Sequence, residues 1–248
     1  MSEAIEVQGL HTGYGETVIH NDVSFDVHRG EILFIIGGSG CGKSTLMKHM
    51  VGLLEPIEGQ IRFDGVDLVK AQGQARQEIL KKFGVMYQAG ALLGSLTLLE
   101  NTRLPLEEHT TLPEEARDFI ALMKLKLVGL EGFDQHFPSR ISGGMVKRAS
   151  IARAMALDPS ILFLDEPSAG LDPVTSFELD RLIWFLSRNL GITFIIVSHE
   201  LSSIVKIADR VIMLDKAAKG VIAVGDPREL VRTATNPRVV QFFTRGEA

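Results

Sequence analysis

Residues 37–45, Gly-Gly-Ser-Gly-Cys-Gly-Lys-Ser-Thr, fit the pattern G-x-x-x-x-G-K-S/T, with Gly37 and Gly42 as the two glycines, then Lys43 and Ser44. An apolar, β-branched run at 31–36 leads into the stretch. After it, Leu46, Met47, Met50, Leu53 and Leu54 recur at helical spacing. A chance glycine-rich turn would not come with both a strand and a helix. Gly37, Gly38, Gly40 and Gly42 let the loop fold back until successive backbone N–H groups point inward, and the following helix turns its positive end to the same spot. Ser39, Cys41 and Thr45 complete the cradle. Lys43 is expected to reach β- and γ-phosphates, and the Ser44 hydroxyl to bind Mg²⁺.

The 248 residues allow one large domain, or a domain with a subdomain, and a real core. A net charge of −5 gives no basic field that would point to nucleic acid. Cys41 is the only cysteine, so no disulfide forms within the chain, and a reducing cytoplasmic setting is expected. Its place in the loop reads first as a small residue in a tolerant position. The alternative is a redox-active thiol ionised by the helix end. No apolar run approaches the roughly 20 residues that span a bilayer, and the N-terminus lacks a signal-peptide pattern.

Residues 4–30 alternate as strands do, with Ile5 and Val7, then Val23, Phe25 and Val27, on one side. Tyr14, between Gly13 and Gly15, is expected in a loop, free to stack on a base or to cover the sheet edge. Another strand is expected at 59–65, a polar helix at 72–82 and a short strand at 83–87. From 89 to about 157 the chain reads as helices. Thr97 and Glu100 have capping-box spacing. A second helix runs from 116 to 127 with Phe119, Ile120, Met123 and Leu127 on one side. Ser142 caps a third, which Asp158-Pro159 stops. Buried-type strands follow at 161–164 and 192–197, with a helix at 177–188 between them, then a hairpin around Lys219-Gly220 and two short helices after Asp226.

In a parallel α/β sheet, ligands bind at the carboxyl ends of the strands. The glycine loop, Gln88, Asp165-Glu166 and His199 each follow a strand directly, which delivers polar groups to one edge. Asp165 is expected to hold Mg²⁺, Glu166 to take a proton from attacking water, His199 to bond the γ-phosphate and the water, and Gln88 to sense metal or water. Ser142, Gly143 and Gly144 repeat the anion-site physics at a second place: a hydroxyl cap, bare N–H groups and a helix dipole. A head-to-tail dimer, with Ser142 of one copy closing on the γ-phosphate held by the other, explains two such sites in one chain. Each group also has a structural alternative, from turn cap to ordinary helix cap.

Together these motifs resemble those of ATP-binding cassette (ABC) ATPases over nearly the whole chain. Residues 37–45 match the Walker A motif and 161–166 the Walker B motif with its glutamate. Residues 141–145 resemble the Leu-Ser-Gly-Gly-Gln signature, 168–172 the D-loop, Gln88 the Q-loop glutamine, His199 the switch histidine, and Tyr14 the aromatic on adenine. Met145 departs from the signature's glutamine. The resemblance implies an α/β fold: a P-loop NTPase core with a mixed sheet and an N-terminal antiparallel β subdomain (1–88 and 158–225), an inserted helical subdomain (89–157) and a tail (226–248). It implies ATP and Mg²⁺, a homodimer and a membrane permease. The Ser-Gly-Gly-Met form and residues 88–106 are similar to the ATPase of Mla/Mce-type phospholipid transport systems. That implies a subunit on the cytoplasmic face of the inner membrane, with an MlaE-like permease, a small MlaB-like STAS-domain protein and a periplasmic Mce-type lipid-binding protein. The tail is expected to extend a dimer or partner contact, or to be a surface helix pair. Other transported substrates, or a soluble assembly factor, are the alternatives.

Overall fold

The computed structural model describes residues 3–15 and 17–244. Two long strands, β1 (Glu3–Tyr14) and β2 (Thr17–His28), pair antiparallel. They bury Ile5, Val7, Leu10, Val23 and Val27 on one side, as the alternation requires. Tyr14 ends β1 rather than standing in a loop, because the strand pairing continues out to Tyr14 opposite Thr17. The chain then forms β3 (Ile32–Gly37) and α1 (Lys43–Met50). β4 (Glu58–Phe63) and β5 (Val66–Asp67) return to the first pair, giving an antiparallel sheet ordered β2-β1-β4-β5.

After α2 (Gly73–Leu80) and β6 (Phe83–Met86) the chain is helical: α3 (Leu98–His109), α4 (Glu114–Leu127), a short 3₁₀ turn at Pro138–Arg140, and α5 (Gly143–Ala154). The capping box forms as expected: Thr97 Oγ1 accepts from Glu100 N, and Glu100 Oε2 accepts from Thr97 N. The core-facing side of α4 is not that of Phe119 and Met123. The helix buries Ala121 and Leu125, while Phe119 and Met123 are 65% and 50% exposed. The apolar pattern of that helix has two faces, and the smaller residues took the core. α5 ends at Ala154, before the expected stop at Asp158.

The remaining elements are β7 (Ile161–Asp165), α6 (Pro173–Leu190), β8 (Thr193–Val197), α7 (Leu201–Ile207), β9 (Arg210–Asp215), β10 (Gly220–Gly225), α8 (Pro227–Thr233) and α9 (Pro237–Thr244). α6 starts earlier than expected because Asp172 caps it, accepting from Val174 N and Thr175 N. The second sheet runs β10-β9-β3-β8-β7-β6, parallel except for β10. Its central strands β3, β8 and β7, and the middle of β9, are buried on both faces. Phe34, Leu164, Ile196 and Val211 point to α5, α6 and α7. Leu33, Phe163, Ile195 and Ile212 point to α1 and the antiparallel sheet. The tail helices are no surface pair: Val239 and Phe243 of α9 are buried in the same core as Val211 and Met213, and Arg238 pairs with Asp215. A truncation at Asn236 would open that core as well as remove any partner contact.

Candidate nucleotide site

Four adjacent strands of the parallel sheet, β3, β8, β7 and β6, end at one edge. Their C-terminal tips carry the glycine loop, His199, Asp165-Glu166 and Gln88. A cleft of about 750 Å³ opens there, with the loop and Lys43, Ser44, Thr45, Gln88, Glu166 and His199 on its walls. The loop is folded tightly. Gly37 sits at φ 146°, and a Cβ there would meet Leu214 O at 2.3 Å and Cys41 Sγ at 2.7 Å. Lys43 Nζ donates to the Gly37 and Gly38 carbonyls at 3.0 and 3.2 Å, which holds the ammonium over the loop.

Ser44 Oγ donates to Asp165 Oδ1 at 3.0 Å. Burial pushes the Asp165 carboxyl up, against the pull of the Ser44 bond. A hydroxyl and a desolvated carboxylate side by side form a hard-oxygen pair of the kind that suits Mg²⁺. One residue on, Glu166 occupies the left-handed region at φ 48°, with its N–H on Val197 O at 2.8 Å. A non-glycine residue held there is strained, and the strain turns Glu166 away from Asp165 toward the cleft. His199 Nδ1 donates to Glu166 Oε1 at 2.8 Å, while the imidazole itself is largely exposed.

Tyr14 lies beside the loop, with its hydroxyl 3.5 Å from Thr45 Oγ1 and its ring open to solvent. Cys41 lies beneath the loop. Burial pushes its thiol up, so the redox-active thiolate is corrected: the apolar surroundings outweigh the pull of Lys43. Ser142, Gly143 and Gly144 do not reach this cleft. They form the N-terminus of α5, where Ser142 Oγ accepts from Met145 N, and Ser142 and Gly143 are exposed. Gly144 packs so closely on α6 that a Cβ would meet Thr175 Cγ2 at 2.3 Å. Met145 packs its side chain against the core.

Sequence reasoning missed several groups. Lys147 of α5 is buried and donates to the Gln88 carbonyl, and Arg153 donates to the Gly90 and Ala91 carbonyls. The helix that begins at Ser142 thereby grips the loop that begins at Gln88. Burial lowers the Lys147 pKa, while Asp165 and Glu166 raise it. A lysine amid the small residues of α5 was the available signal. Phe242 of α9 also lines the cleft, and no local pattern pointed to it.

A family model described as ABC transporter matches residues 20–169. Over 98% of its length, the chain is 44% identical to the probable ribonucleotide transport ATP-binding protein mkl of Mycobacterium leprae, covering 69% of that protein. It is 40% identical to the intermembrane phospholipid transport system ATP-binding protein MlaF of Haemophilus influenzae, covering 98% of this chain and 91% of that one. Among solved structures, it is similar to the dimeric ATP-binding cassette MJ0796 in a post-hydrolysis state with ADP and Pi. The TM-score there is 0.80 at 30% identity, over 90% of this chain and 98% of the other.

Proposed function

The chain belongs to the ABC transporter family and is an ABC ATPase, and from that premise we propose that it is the motor subunit of a system that moves phospholipids between membranes. The observation that carries the ATPase chemistry is the convergence of the loop, Asp165, Glu166 and His199 on one cleft. The phospholipid reading rests on MlaF, whose length this chain nearly fills.

In this reading the loop N–H groups and Lys43 bind the phosphates of ATP, and Tyr14 stacks on the base. Ser44 and Asp165 would hold Mg²⁺, with Gln88 beside them; the bound ion supplies charge neutralisation on the phosphates. Glu166 accepts the proton of the attacking water. His199, now on Glu166, is placed to turn to the γ-phosphate, which frees the carboxylate for that proton. Ser142 and Gly143 are exposed, and with the buried Gly144 they lie outside the cleft, which suits delivery to a second copy's nucleotide. The loop after Gln88, gripped by α5, passes the closure to a permease helix. The domain division is a core at 1–88 and 158–225, a helical insert at 89–157 and the tail. The subunit sits peripherally on the cytoplasmic face of the inner membrane. Among the described residues no helix is long and apolar enough to cross a membrane. An MlaE-like permease, an MlaB-like STAS-domain protein and a periplasmic Mce-type protein are the partners.

The mkl relative favours a second reading, in which the cargo is a ribonucleotide. A tagged pull-down from gently solubilised native membranes, with mass spectrometry of proteins and lipids, separates the two. Co-purification of a permease, an Mce-type protein and phospholipid is expected. A membrane complex without an Mce-type protein or lipid would overturn the cargo assignment, and no membrane partner at all would overturn the transport role.

A further inference from the structure

His20 lies directly beneath the phosphate loop and is fully buried, in a position where β2 otherwise offers apolar side chains to the core. It faces Thr12 across the β1–β2 pair. His20 Nε2 is 2.7 Å from the Cys41 carbonyl oxygen, and its Nδ1 is 2.7 Å from Thr12 Oγ1. A carbonyl only accepts, so Nε2 carries the hydrogen, and Nδ1 then accepts from the Thr12 hydroxyl. The Cys41 carbonyl therefore sets the tautomer, and the Thr12 hydroxyl, which can donate or accept, braces the ring from its other side. The ring also fills the space under Gly42: a Cβ there would meet His20 Cε1 and Nε2 at 2.6 Å and Ile19 Cγ2 at 2.5 Å.

The carbonyl of Cys41 and the N–H of Gly42 belong to one planar trans peptide, so they point in opposite directions. A donor that holds the carbonyl down from the core side aims the N–H up into the cleft. We propose that His20 is a positioning residue for phosphate binding: through the Thr12–His20–Cys41 chain it fixes the Cys41–Gly42 peptide so that the Gly42 N–H is already aimed at the nucleotide phosphate. The same β1–β2 pair ends in Tyr14, so the strand that presents the base-stacking ring also braces the phosphate loop. This rests on the nucleotide-site reading above and adds a residue to it.

The test is calorimetric titration of the full chain with ADP, alongside steady-state ATPase kinetics and thermal melts, for wild type, His20→Phe and His20→Gln. Phenylalanine keeps a ring but cannot donate, whereas glutamine can return an N–H near the Nε2 position. For His20→Phe, ADP affinity falls about tenfold, as for a buried carbonyl stripped of its donor. Its KM for ATP rises by a similar factor, and kcat at saturating ATP stays within about twofold. His20→Gln regains most of the affinity. Equal ADP affinity for wild type and His20→Phe would overturn the proposal. So would a glutamine variant as weak as the phenylalanine one, because ring shape alone would then be at work. If His20→Phe fails to fold, Thr12→Val keeps His20 but removes the hydroxyl that braces its ring, and about threefold weaker ADP binding is expected; unchanged binding there overturns the proposal. Wild type that binds no ADP would instead remove the nucleotide-site reading and the proposal with it.

Discussion

His20 and His49 carry a cost that their burial makes visible. Both are sealed from solvent, and burial holds both imidazoles below their ordinary value of 6.5. The titratable group facing His49 is His20, which lowers it further, while His20 itself meets the Cys41 carbonyl and the Thr12 hydroxyl. The folded chain needs both rings neutral, whereas the unfolded chain protonates them as pH falls through 6.5. Their contribution to stability is complete above 6.5 and is lost below it, by about 1.4 kcal/mol per pH unit for each ring while the folded state stays unprotonated. Denaturant unfolding of the full chain should show stability falling as pH drops below 6.5, and His20→Gln should reduce that fall while His49 keeps its share. A flat profile would mean that the rings are not held neutral. Neither histidine was legible in the sequence, because a histidine in a strand or on a helix carries no sign of its depth. Glu166 and His199 were legible, because each follows a strand whose apolar composition marks it as buried.

At the scale of elements, the segment between β6 and α3 is the part that the proposed coupling to a permease would need to be stiff, and side-chain bonds hold it in place. Asn101, fully buried on α3, accepts from Leu93 N and donates to the Leu93, Leu96 and Thr97 carbonyls. Arg153 holds the other end. Asn101→Ala would remove a fully buried side chain together with its bonds to the Leu93 N–H and to loop carbonyls, so a loss of about 2–3 kcal/mol is expected, with faster amide exchange across residues 92–97. Hydrogen exchange mass spectrometry would read both; an unchanged segment would show that Asn101 does not hold it. The capping box at Thr97 and Glu100 could be read from spacing, but not the staple three residues into the helix. Side-chain bonds to a loop depend on where the loop folds. The packed face of α4 was not legible for a related reason. Phe119 and Met123 look like core residues, yet the face of α4 that meets the core is carried by Ala121 and Leu125, with Leu127 packed beside them.

For the whole molecule, the strand ends that share one edge were legible because four buried strands each led into a distinctive polar group, whereas the order β10-β9-β3-β8-β7-β6 was not read from the sequence. The packing of α9 into the main core was not legible, since its anchors Val239 and Phe243 sit in a short segment with no strand beside it in sequence. In the proposed function one copy of the chain supplies half of each of two sites: the cleft that would take the phosphates and Mg²⁺, and the exposed Ser142 helix end that lies elsewhere. The central claim is that two copies complete each other around ATP. Sedimentation of Glu166→Gln, with and without ATP and Mg²⁺, tests it most directly. The variant should lose hydrolysis by about 10²–10⁴-fold, sediment as a dimer only when ATP is present, and revert to monomer when Ser142→Arg is added. A Glu166→Gln chain that still hydrolyses ATP, or that binds ATP and stays monomeric, would contradict the account.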